Sequence, residues 1–114
     1  MIDAVFFETR EERARGLQGM EPIPRRTVFI FPGTPAGAIF DSRNVREPFE
    51  IYFMNGEGRI MESWQVTPPL GVLKTPIGTA TVVEAKDGLF YELGYAGIET
   101  AVREAFRLRG NGHG

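Results

Sequence analysis

The chain has no cysteine and one histidine, His113, in its 114 residues. Without thiols there are no disulfides, zinc–thiolate sites, iron–sulfur clusters or thiol nucleophiles. A lone histidine next to the end excludes a multi-histidine metal site within one chain and disfavours a histidine-based triad. Serine is limited to Ser42 and Ser63, and neither lies in a G-x-S-x-G elbow. Gly56-Glu57-Gly58 lacks the further glycine and helix of a dinucleotide fingerprint, and no lysine follows as in a phosphate loop. No metal or cofactor is therefore expected, and no catalytic residue can be assigned. No apolar run approaches the ~20 residues of a membrane helix. The start, Met1 to Phe7, lacks the basic residues of a secretory signal. The expectation is a chain acting where it is made, in the cytoplasm or within a large assembly such as a virion. A net charge of −2 provides no strong field for nucleic acid or an anionic membrane.

What is present fits a globular chain. Hydrophobic residues make up 42% and charged residues 25%, so disorder is excluded. A chain this long buries roughly 65% of its unfolded surface, enough for one core. One domain over 1–109 is expected, with a Gly-rich tail at 110–114. Ala4–Phe7, Thr27–Phe31, Ala38–Phe40, Phe49–Met54, Arg59–Val66, Thr79–Ala85 and Leu89–Leu93 read as short strands. Asn55-Gly56-Glu57-Gly58 and Asp87-Gly88 read as hairpin turns. Thr9-Arg10-Glu11-Glu12 has the form of a capping box and opens a short helix over about 10–17. Ile98, Ala101, Val102, Ala105 and Phe106 form the apolar stripe of a helix over about 97–109. The fold class is α+β: a small, partly closed antiparallel sheet or barrel, one early helix and one C-terminal amphipathic helix.

Polar residues that can bind a ligand gather in one place. Phe40 to Glu50 places Asp41, Arg43, Asn44 and Glu50 between two apolar strands. Carboxylates there suit acid–base work, and Arg and Asn orient oxygens. The plainer alternative is internal pairing of Arg43 with Asp41 or Glu50. Arg13 and Arg15 flank the end of the early helix beside Gly16. They can bind an anion, brace the 41–50 loop, or simply pair with neighbouring glutamates. Eleven of the 13 basic residues are arginine, which favours planar, partly buried pairing. Trp64 can stack on a ring ligand or pack at a sheet edge.

The order of these segments resembles the family known as domain of unknown function number 192. Arg15-Gly16-Leu17-Gln18 resembles its R-G-L-M element, and Val28-Phe29-Ile30-Phe31 its G-M-L-F-x-F strand. Phe40 to Phe53 matches F-W-M-K-N-T-x-x-P-L-D-x-x-F without a gap, with Phe40, Asn44, Pro48 and Phe53 identical. Val82-Val83-Glu84-Ala85 resembles V-L-E-L. The likeness spans about residues 4–90. Asp41-Ser42 replaces the family's aromatic–Met pair and Val45 its threonine, which implies a lost or altered site there. The C-terminal helix looks like an addition to the family's usual end. The resemblance implies a compact β-rich α+β domain and no established activity.

Two functions follow as expectations. One is a non-catalytic binding or assembly module, with a protein partner or self-association and with nucleic acid disfavoured. The other is a small-ligand-binding protein or small enzyme using the 41–50 loop with Arg13 and Arg15.

Overall fold

The computed structural model describes residues 1–68 and 71–111. The elements are β1 (Asp3–Phe6), α1 (Arg10–Arg15), β2 (Thr27–Pro32), β3 (Ile39–Asp41), β4 (Phe49–Met54), β5 (Ile60–Val66), β6 (Val72–Lys74), β7 (Thr81–Lys86) and α2 (Leu89–Asn111). Five strands form one sheet in the order β1-β2-β7-β4-β5. β1 runs parallel to β2, and the other pairings are antiparallel. β3 and β6 form a separate two-stranded ribbon.

The α+β class holds, with the early and C-terminal helices in place. The sheet is not closed into a barrel. It ends in β1 on one side and β5 on the other; these edge strands stay largely exposed, while the central strands are covered on both faces.

β2, β4 and β7 are the central strands and read as continuous apolar runs because both faces are buried. Alternate residues face opposite ways. Val28, Ile30, Tyr52, Met54, Val83 and Ala85 pack against Leu89, Ile98, Val102 and Ala105 of α2. Phe29, Phe31, Phe49, Ile51, Phe53 and Val82 face the other side. Phe7, Leu17, Ile23 and Val45 cover them there, with Phe40 and Leu73 of the ribbon packed alongside.

The helices follow local chemistry. Glu12 N–H donates to Thr9 Oγ1 at 3.1 Å, and Thr9 N–H donates to Glu12 Oε1 at 3.0 Å. That is the expected capping box. These backbone bonds hold the Glu12 carboxyl below its usual range. α1 stops at Gly16, whose N–H donates to Glu12 O. The Asn55 hairpin also forms as read: Asn55 Oδ1 accepts from Glu57 and Arg59 N–H, and Gly58 takes φ +79°.

Leu89–Leu93 is helix, not strand. Leu89 is buried but Phe90 and Tyr91 lie outside, with Tyr91 94% exposed, so no strand-like alternation exists. α2 has a non-helical residue at Gly94 (φ 68°, ψ 175°), so the stripe from Ile98 is its second limb. The helix reaches Asn111, further than the expected 109, and positions 112–114 lie outside the described residues. The sequence pattern predicts no strand at β6. Three residues are too few for a periodicity to show. No helix among the described residues is long and apolar enough to cross a membrane.

Candidate functional site

Glu84 sits in the middle of β7, between Phe29 of β2 and Ile51 of β4. It is on the face opposite α2 and only 5% exposed. Its neighbours Val82, Val83 and Ala85 are fully buried. No group among the described residues hydrogen-bonds the carboxyl, and its oxygens open onto a cleft instead of being sealed in the core. Burial without a counter-charge pushes its pKa up to about 8. At neutral pH the group is mostly a carboxylic acid, able to donate as well as accept.

Glu84 lines a cleft of about 90 Å³ between the end of α1 and the β3–β6 ribbon. That is room for about three water-sized groups. Arg13, Arg15 and Gly16 come from the α1 side, Asp41 and Ser42 from the ribbon side. Ser42 fixes the ribbon, donating from both N–H (2.7 Å) and Oγ (2.9 Å) to Gly71 O. Arg13 is braced by Pro32 O and Thr34 Oγ1, both at 2.7 Å. Arg15 is exposed and has no such partner among the described residues.

Gly16 allows the chain to turn at this wall. Its backbone has φ +52° and ψ −128°, a region that side chains disfavour. A Cβ there would lie 3.7 Å from Glu84 Oε1 and 3.7 Å from Phe31 Cζ, so space is adequate and the backbone is the obstacle. Gly16→Ala is expected to cost about 1–3 kcal/mol, read from the urea midpoint. An unchanged midpoint would show that the turn relaxes without strain.

The residues singled out from sequence separate. Arg13, Arg15 and Asp41 line the cleft. Asp41 is held by Arg43 in a fork, at 2.9 Å from Nε and 2.6 Å from Nη2. Those bonds draw the Asp41 carboxyl down to about 2. Asn44 Nδ2 reaches Gln18 Oε1 at 3.4 Å. Arg43 and Asn44 are thus engaged by side chains of their own surroundings.

Glu50 does not join them. It lies on the α2 face of β4 and accepts from Gly88 N–H (2.7 Å), Phe90 N–H (2.9 Å) and the Tyr52 hydroxyl. It satisfies the free N–H groups at the start of α2. Burial, and then the bond to Glu50, push the Tyr52 hydroxyl up. Trp64 lies half-exposed on edge strand β5, its Nε1 donating to Glu62 Oε2 at 2.8 Å. Neither residue lines the cleft.

Sequence alone does not single out Glu84. One signal was available: an acid inside the apolar run Val82-Val83-Glu84-Ala85, in a segment that resembles a family element. Arg15-Gly16-Leu17, Phe40 and Glu84 at the cleft come from segments with family likeness, whereas Asp41 and Ser42 beside them are where the chain departs from the family pattern.

The family model for DUF192, described as an uncharacterized ACR, matches residues 1–99. The chain belongs to this family. The match takes in the first eleven residues of α2, past the limit at about 90 read from sequence, so the first limb of that helix falls within the family's length. This DUF192 chain also resembles solved structures. One is a protein of unknown function from Novosphingobium aromaticivorans DSM 12444, 27% identical with a TM-score of 0.70. The match covers 82% of this chain and 69% of that one. Another, from Sinorhizobium meliloti 1021 and described as a candidate transcription regulator, is 18% identical with a TM-score of 0.69. It covers 80% of this chain and 73% of that one, and shows the fold alone. No curated protein matches the DUF192 chain.

Proposed function

We propose that this DUF192 chain is a non-catalytic binding module whose ligand site is the cleft over Glu84. One observation carries the reading: the carboxyl of a largely buried glutamate faces a small cleft and takes no hydrogen bond from the described residues. A ligand in the cleft supplies this carboxyl with the hydrogen-bond partner that the protein does not. A strongly displaced carboxyl in a cleft is also a common mark of a functional site. The binding reading is preferred to catalysis because the cleft's one hydroxyl, on Ser42, is committed to Gly71 O.

The experiment is an amide-resolved NMR titration with three probes: sodium acetate, methylguanidinium and glycerol. At least one is expected to shift the amides of Gly16, Ser42 and Glu84 ahead of the rest of the chain. If all three leave these amides unmoved at high millimolar concentration, the cleft is not a ligand site.

Self-association keeps a place as a second reading because one surface suits it. An apolar groove of about 670 Å³ runs between edge strand β1 and α2, lined by Phe6, Leu93, Ala101 and Leu108 among others. Large or virion-like assembly would use such an edge. Light scattering at micromolar concentration is the check, and a strict monomer removes this reading.

A further inference from the structure

The chemistry of the cleft narrows its ligand, given that the cleft is the binding site. Four charged or chargeable side chains line it: Arg13, Arg15, Asp41 and Glu84. Asp41 is neutralised by the Arg43 fork. Glu84 is flanked by Phe29 and Ile51 and has no cation bonded to it among the described residues. Glu12, which draws some stabilisation from Arg15, has its carboxylate committed to Glu8 and Thr9 N–H. The charge left facing the cleft is therefore positive, from Arg13 and Arg15. Arg13 is already anchored to Pro32 and Thr34, so Arg15 is the cation free to engage a ligand.

We propose that the cleft takes a carboxylate group, one oxygen hydrogen-bonded to the Glu84 carboxyl and the group's charge met by the Arg15 guanidinium. An un-ionised carboxyl donating to a carboxylate makes a short, charge-assisted O–H···O⁻ bond. Arginine matches the planar two-oxygen shape. A volume of about 90 Å³ admits such a group but little beyond it. The burial that keeps Glu84 un-ionised near neutral pH is what makes it a donor. A cationic ligand would have to displace that proton and approach against two arginines.

The carboxylate has two sources, a free small acid or the C-terminus of a peptide. The test is NMR and calorimetric titration of the full chain with acetate, with acetyl-Gly-Gly as free acid, and with its C-terminal amide. Methylguanidinium is the opposing probe. Acetate and the free acid are expected to shift Gly16, Ser42 and Glu84 amides, and the amide-capped peptide is not. Tighter binding of acetate marks a free acid as the source, and tighter binding of the peptide marks a chain terminus.

Acetate affinity is expected to fall about tenfold per pH unit above about 8, as Glu84 loses its proton. Glu84→Gln keeps an N–H donor. It is expected to bind acetate at pH 7 while losing that pH dependence. Arg15→Gln, at an exposed position, is expected to weaken acetate binding by about fivefold or more. Preferential binding of methylguanidinium, with affinity rising with pH, would overturn the carboxylate inference and leave the cleft a ligand site. Binding of acetate unaffected by Glu84→Gln at every pH would also overturn it. Silence of the three amides toward every probe would remove the site itself.

Discussion

Raising pH from about 5 to 9 destabilises this chain, and Glu84→Gln removes most of that loss. In the unfolded chain the Glu84 carboxyl titrates near 4.5, and in the fold near 8. Between these values the folded chain keeps a proton that the unfolded chain has released. Raising pH therefore favours unfolding. The stability is fully present below about 4.5 and is lost as pH rises through about 8. The difference corresponds to a free energy on the order of 5 kcal/mol. Partial hydration of the cleft reduces this, and a measured loss of about 2–5 kcal/mol is expected. Carboxyls whose pKa the fold lowers, such as Glu12, Asp41, Glu47 and Glu104, titrate below this window and do not mask the slope. Gln has nearly the shape of Glu and no charge at any pH. Urea unfolding of Glu84→Gln should thus match the wild type near pH 5 and exceed it at pH 9. Parallel profiles for the two chains would show that Glu84 is ionised in the fold.

The second large effect concerns Glu50. Glu50→Ala is expected to lose about 2–4 kcal/mol. The substitution leaves the buried Tyr52 hydroxyl and the part-buried Gly88 and Phe90 N–H groups without their acceptor. Tyr52→Phe removes one donor and keeps both backbone bonds, so a loss of about 1–2 kcal/mol is expected. Hydrogen exchange should quicken first at the start of α2 in Glu50→Ala. The variant's response to probes of the Glu84 cleft should remain, because Glu50 faces α2 on the other side of the sheet. A stability change under ~1 kcal/mol would mean that water replaces the carboxylate as the cap.

The two acids show how far sequence reading reached. Glu50 stood out because it closes a polar segment, and proximity in sequence to Asp41 and Arg43 made it a site candidate. One residue of strand alternation sends it to the opposite face. Glu84 did not stand out because an acid in a short strand ordinarily faces water. Its burial depends on β7 being central, with β2 and β4 on either side. Strand order is a long-range property that no local window contains. The same gap explains Leu89–Leu93, where Asp87-Gly88 predicted a hairpin and the Glu50 carboxylate, 38 residues away from Gly88 in the chain, caps a helix instead.

Sequence by itself determined the exclusions: no thiol chemistry, no multi-histidine centre, no phosphate loop. It also determined the α1 capping box, the Asn55 hairpin, most strand cores and the apolar stripe of α2, because each rests on contacts within a few residues. Family likeness was legible for the same reason, as local segments in a fixed order. Tertiary structure alone decided which polar residues share a space. It set Arg15 and Gly16 beside Asp41, Ser42 and Glu84, and it sent Glu50 and Trp64 elsewhere. The physical reason is that a carboxyl's ionisation and reach are set by what the whole fold packs against it. For Glu84 that is two neighbouring strands, a helix end and a ribbon from distant parts of the chain.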